Sequence, residues 1–147
     1  RLPGLDGNAK MSKSLGNAIY LSDDAETLKK KVMSMYTDPK HIHIEDPGKV
    51  EGNTVFTYLD IFDSDKQEVA RLKEQYQAGG LGDVKIKRYL NNVLESQLQP
   101  IRERREQFAK DIPAVYAILK EGSKRANEVA EQTLSEVRAA IGVNYFG

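Results

Sequence analysis

The sequence predicts a mainly α-helical protein, an antiparallel helical bundle led by a flexible loop. Three observations carry this. From Ala25 onward, apolar residues recur every three or four positions, the period of a helix with one buried face. Each run is bracketed by Ser, Asp or Asn at its start and by Gly or Pro at its end. The connections between runs are short, which favours antiparallel neighbours. The opening stretch, Arg1 to Asn17, behaves differently: it is rich in Gly, Ser and Lys, has no sustained period, and reads as a loop.

Taken in order, Ala18-Ile19-Tyr20-Leu21 is a short strand or an extended lead-in. Ser22 or Asp23 can cap the first helix, with Glu26 as a capping-box partner of Asp23. Ala25, Leu28, Val32, Met35 and Tyr36 follow, and Pro39 closes the segment. Thr37 to Gly52 is irregular. Asn53 or Thr54 starts a second helix, with Val55, Tyr58, Leu59 and Phe62 on one face. Ser64 and Gln67 form a possible capping box for a third, whose Val69, Leu72 and Tyr76 are its core face and whose end is Gly79. Asp83 is the expected cap of the longest helix, whose stripe is Ile86, Tyr89, Leu90, Val93, Leu94, Gln97, Leu98, Ile101 and Phe108. Pro100 should kink it or begin a new one. Asp111 and Pro113 start a short fifth helix, carrying Val115, Ile118 and Leu119 and ending at Gly122. A last helix buries Ala126, Val129, Ala130, Thr133, Leu134, Val137 and Ile141.

The chain has 147 residues, 39% hydrophobic and 30% charged, the composition of a soluble domain. Its 22 basic and 22 acidic residues cancel, so nucleic-acid binding has to rest on a local basic face. The absence of cysteine excludes disulfides, thiolate zinc sites and a cysteine nucleophile, and fits a cytosolic protein. No apolar run approaches the roughly 18 residues of a membrane span, and no signal peptide is visible. The chain opens on Arg1 rather than Met and is expected to be a piece of a longer protein.

The residues with most chemical content are Lys10-Met11-Ser12-Lys13-Ser14. Two lysines supply compact positive charge for phosphate, and the two serines supply hydroxyl donors. Gly4, Gly7 and Gly16 let the backbone turn and approach a ligand closely. The spacing is not that of a Walker A loop. Composition alone would favour a solvated surface loop; the order of the residues overturns that. Lys-Met-Ser-Lys-Ser is identical to the signature loop of class I aminoacyl-tRNA synthetases. Its flanks, Gly4-Leu5-Asp6-Gly7-Asn8-Ala9 and Leu15-Gly16-Asn17-Ala18-Ile19, resemble the tryptophanyl enzymes and their tyrosyl relatives. Tyr36-Thr37-Asp38-Pro39, Gly82-Asp83-Val84-Lys85 and Pro100-Ile101-Arg102-Glu103-Arg104-Arg105 resemble elements of the tryptophanyl branch. So do Gly122, Ala126, Ala130, Val137-Arg138 and Gly142 of the final helix.

The resemblance implies the C-terminal part of such an enzyme. Residues 1–21 would be the loop and the end of a Rossmann-type α/β catalytic domain otherwise absent from this sequence. Residues 22–147 would be the helical, anticodon-binding domain. The family activates tryptophan with ATP, accompanied by Mg²⁺, and charges tRNA. Lys10 and Lys13 would act in catalysis, and Lys10, Met11, Ser12, Lys13 and Ser14 would bind ATP. Homodimerisation is implied through the absent domain. The chain alone is not expected to be a competent enzyme. A stand-alone helical nucleic-acid-binding module and a tyrosyl-type fragment are the alternative readings.

Lys85, Arg88, Arg102 and Arg105 are the candidate tRNA contacts. Lys85, Arg88, Asn92, Gln99 and Arg102 share a polar face, and residues 83–110 carry seven basic against four acidic side chains. His41 and His43 alternate beside Glu45 and Asp46, but an exposed polar loop rather than a metal site is expected there. Tyr58, Tyr76, Tyr89 and Tyr116 are expected in the core.

Overall fold

The computed structural model describes residues 2–8 and 10–143. The described residues form five helices: α1 (Ala25–Met33), α2 (Thr54–Phe62), α3 (Lys66–Ala78), α4 (Asp83–Ala109) and α5 (Ile112–Ala140). Among the described residues there is no strand, only an isolated bridge between Pro3 and Lys10. Residues 18–20 accordingly form no strand, and Leu21 enters a turn that the Asp23 amide closes by donating to the Tyr20 carbonyl at 3.0 Å. The chain divides into two compact units, residues 1–104 and 105–147.

The first unit contains the core. Leu28 and Val32 of α1 are fully buried, as are Val55 and Leu59 of α2, Tyr76 of α3 and Ile86 and Leu90 of α4. Leu94 and Leu98 extend the α4 stripe at four-residue spacing, but it stops short of Phe108, which is exposed. Burying a side chain of this size stabilises the fold by about 1.5–3 kcal/mol. Leu5, from the opening loop, belongs to the same cluster. Its carbonyl accepts from the amide of Tyr36 at 2.8 Å, and the Tyr58 hydroxyl donates to the Pro3 carbonyl at 2.7 Å. Residues on both sides of position 21 thus share one core.

Two expected caps shift by one residue. Asp24, not Ser22 or Asp23, caps α1, accepting from the Thr27 amide at 2.7 Å. Asp23 is buried instead and takes the Tyr20 amide and the Lys31 ammonium at 2.8 and 2.6 Å. Asp65, not Ser64, caps α3 through the Glu68 amide. Asn53 caps α2 as expected. Asp83 opens α4 without capping it, because its carboxylate is drawn to Tyr76 and Thr37; the Gly82 carbonyl accepts the first amide of the turn.

Gly79 ends α3 with φ of +87°, a conformation costly for any residue with a Cβ. Gly48 lies so close to Tyr76 that a Cβ there would overlap the ring. The irregular segment 37–52 is therefore pressed directly against α3.

Pro100 lies inside α4 and starts no new helix. The second unit corrects two further expectations. Gly122 does not end a helix: α5 is continuous over 29 residues and is the longest element, capped by Asp111 through the Ala114 amide. A mid-helix glycine costs roughly 1 kcal/mol relative to alanine. The surrounding Leu119, Lys120, Glu121, Lys124 and Arg125 favour helix, and no proline follows. The expected apolar face of α5 is present but carries no buried residue. Tyr116, placed in the core by its spacing, is 68% exposed. Tyr58 and Tyr76 are core residues, and Tyr89 is half-buried.

Candidate functional site

The lysine loop begins where the Met11 amide donates to the Leu2 carbonyl at 3.2 Å, beside the Pro3–Lys10 bridge. Met11 is half-buried and packs on the core cluster. Beyond it the chain turns outward, and Lys10, Lys13 and Ser14 are exposed. The Lys13 carbonyl accepts from the Gly16 amide at 3.2 Å, and Gly16 adopts φ of +66° to close the turn. The hydroxyls of Ser12 and Ser14 are 2.9 Å apart.

Asn17 organises the loop, a role the sequence reading did not assign to it. Only 7% exposed, it accepts the Ser12 amide at 2.8 Å through Oδ1 and donates to Asp6 at 3.1 Å through Nδ2. Its carbonyl accepts the Leu5 amide at 2.9 Å. Gly4 leaves room for the carboxamide, since a Cβ there would collide with it. The available signal was a carboxamide between two small residues, Gly16 and Ala18, at the end of a lysine turn. The result is an arc of two outward lysines and two hydroxyls on a fixed base. Such an arc can surround a polyphosphate with charge and donors. Ala9, part of the matching flank, lies outside the described residues.

The four basic candidates on α4 fare differently. Lys85 and Arg88 are exposed one turn apart near the start of the helix. Among the described residues, neither has a carboxylate at ion-pair distance. Arg102 is only 14% exposed; its guanidinium pairs with Glu95 and donates to the Asp23 carbonyl at 3.2 Å. Arg105 is exposed and belongs to the second unit.

The start of α4 is fixed by a polar cluster. Asp83 accepts from the Tyr76 hydroxyl at 2.8 Å and the Thr37 hydroxyl at 3.0 Å, and His41 Nδ1 lies 3.4 Å from it. Burial and the neighbouring carboxylate push the Tyr76 phenol well above its usual range. His41 is buried with its ring 4.5 Å from that of Tyr76, which corrects the exposed polar loop expected there; His43 is exposed. Among the described residues, no group of three or more His, Cys, Asp or Glu side chains gathers as a metal site. Asp38 accepts the amides of Lys40 and Lys49 at 2.9 and 2.8 Å, which hold its pKa below the ordinary carboxylate value.

Comparison with known proteins adds sequence and fold evidence. A protein-family model described as "tRNA synthetases class I (W and Y)" matches residues 1–99. The tryptophan–tRNA ligase of Streptococcus pneumoniae serotype 4 is 68% identical over 148 residues, covering 99% of this chain and 43% of the relative. That of Clostridium longisporum is 64% identical over 146 residues, with coverages of 99% and 43%. Among solved structures, the tryptophanyl-tRNA synthetase of Campylobacter jejuni complexed with ADP and tryptophan superposes with a TM-score of 0.80. It is 30% identical, over 96% of this chain and 43% of that one. The enzyme of Giardia lamblia gives 0.65 at 29% identity, over 71% and 27%. The chain thus spans less than half the length of these relatives, and it belongs to the tryptophan and tyrosine branch of the class I tRNA synthetases.

Proposed function

We propose that this chain is the C-terminal portion of a tryptophan–tRNA ligase, supplying the ATP-handling loop and the helical tRNA-binding region. The observation that carries the reading is the Lys10–Ser14 arc, identical in sequence to the family signature and fixed at its base by Asn17. High identity to proteins named tryptophan–tRNA ligases favours tryptophan over tyrosine.

In the reaction, a carboxylate oxygen of tryptophan attacks the α-phosphorus of ATP. The bond to the bridging oxygen breaks, and pyrophosphate leaves with the developing negative charge. Lys10 and Lys13 stand over that leaving group and stabilise it more in the transition state than in the ground state. Ser12 and Ser14 donate to phosphate oxygens, and Met11 seats the arc. Magnesium arrives with ATP as part of the substrate and shares the phosphate charge. The tryptophan pocket belongs to the part of the enzyme outside this chain, as does the dimer contact. In the second step a ribose hydroxyl at the 3′ end of the tRNA attacks the adenylate's carbonyl carbon, the bond to the phosphate oxygen breaks and AMP leaves, while the helical region grips the tRNA at a distance. Lys85 and Arg88, exposed, and Arg105 are the cations offered to tRNA; Arg102, tied to Glu95, orders α4 instead. A cytoplasmic setting suits this role, and no described helix is long and apolar enough to cross a membrane.

The test is ATP–pyrophosphate exchange by the full-length ligase carrying this segment. Exchange that depends on tryptophan and not on tyrosine is expected. Dependence on tyrosine, or no exchange with either, overturns the reading. The 147-residue chain alone should be helical and inactive.

A further inference from the structure

A groove of about 260 Å³ opens between α1 and α4, lined by Lys29 and Met33 from one helix and Arg88, Asn91 and Asn92 from the other. Lys29, Arg88 and Asn92 are exposed. A third cation stands nearby: Lys87 donates to the Met33 carbonyl at 3.1 Å. No carboxylate lines the groove. The acidic groups of the two helices nearest in sequence are engaged elsewhere, Glu26 with Lys30 at 2.6 Å and Glu95 with Arg102. The Asn91 side-chain oxygen, Oδ1, is buried and accepts no hydrogen bond among the described residues.

Cations alone would suit any polyanion. The two carboxamides narrow the choice, because they offer donors and acceptors together, as ribose hydroxyls and base edges require. We infer that this groove is an RNA subsite: Lys29 and Arg88 take one phosphodiester of the tRNA strand, and Asn91 and Asn92 take the adjoining ribose or base. The inference rests on the tRNA-binding role proposed above and adds α1 to the binding surface, an element the sequence pattern assigns only to the core.

The test is tryptophan charging of tRNA by the full-length ligase across a salt series, with Lys29→Gln, Asn92→Ala and, as a control on α5, Lys124→Gln. Losing a hydrogen bond from a charged donor should raise the tRNA KM on the order of tenfold for Lys29→Gln. Its salt slope should fall by about 1, one released counterion fewer. Asn92→Ala should raise KM and leave the slope alone, since it carries no charge. Lys124→Gln should change neither. An unchanged KM and slope in Lys29→Gln overturns the subsite, as does an equal loss in Lys124→Gln. Competition by polyglutamate as strong as by unacylatable tRNA of matched charge would assign the groove to acidic protein instead, and competition by inorganic phosphate alone to small anions; either overturns it. A wild-type enzyme that charges no tRNA refutes the proposed function rather than the groove.

Discussion

The Tyr76 hydroxyl donates to the Asp83 carboxylate at 2.8 Å, so the last turn of α3 is bonded to the first residue of α4. The same carboxylate holds Thr37, from the connection after α1, and faces His41. Tyr76→Phe removes one donor and should destabilise the protein by about 1 kcal/mol. Asp83→Ala strands the Tyr76 hydroxyl as well as the Thr37 donor and should cost more, on the order of 2–3 kcal/mol. Urea titration measures both; equal midpoints for the two variants and wild type would show that the cluster contributes nothing.

Lys13→Ala should slow adenylate formation in the full-length ligase by about 10²- to 10³-fold, the effect of losing one transition-state donor. Tryptophan binding should change little. Exchange rates within about twofold of wild type rule out the catalytic role. Asn17→Ala leaves both lysines in place but frees the Ser12 amide. The adenylation rate should fall by less than in Lys13→Ala, and the Ser12 amide should exchange faster with solvent. A Ser12 amide that exchanges no faster would mean that Asn17 does not hold the loop.

Lys85→Ala with Arg88→Ala should raise the tRNA KM and flatten its salt slope by about 2, roughly one counterion for each contact. Arg102→Ala should act on stability, because it leaves Glu95 without its partner on a part-buried face. Aminoacylation kinetics and thermal melting separate the two. A salt slope that drops for Arg102→Ala at constant melting temperature would transfer the binding role to that residue.

Asp38 gives an acid-side signature. Two backbone amides lower its folded pKa below the usual value. A depressed carboxylate contributes stability that is present above the unfolded pKa and lost as pH falls through the folded one. Asp38→Asn should therefore narrow the stability gap between neutral pH and the region below the ordinary Asp pKa. Urea midpoints across that range check it, and parallel curves for variant and wild type would contradict it.

The helix order was legible because a 3.6-residue period is hard to imitate over runs such as Ile86, Leu90, Leu94 and Leu98. The caps slipped because Ser22-Asp23-Asp24 and Ser64-Asp65 each offer several acceptors, and tertiary partners decide among them: Lys31 claims Asp23, which leaves the cap to Asp24. Asp83 was lost as a cap for the same reason. Arg102 shares helical spacing with Lys85 and Arg88, yet it folds onto Glu95 and the Asp23 carbonyl, partners that lie seven and 79 residues away. Periodicity locates a face but does not say which of its charges are already matched. The lysine loop was legible from residue order; its anchor was not, because one asparagine in a glycine-rich stretch looks like any turn residue.

The Asn17 bond to the Ser12 amide makes the lysine arc a closed ring rather than a free flap. A ring tolerates changes of side chain but not of circumference. An inserted residue between Ser12 and Asn17 would bulge it and let Lys13 wander. A deletion would leave too few atoms to reach around Gly16 and would break the closure. Variation at this position should therefore be sought in the identity of the residues and not in their number.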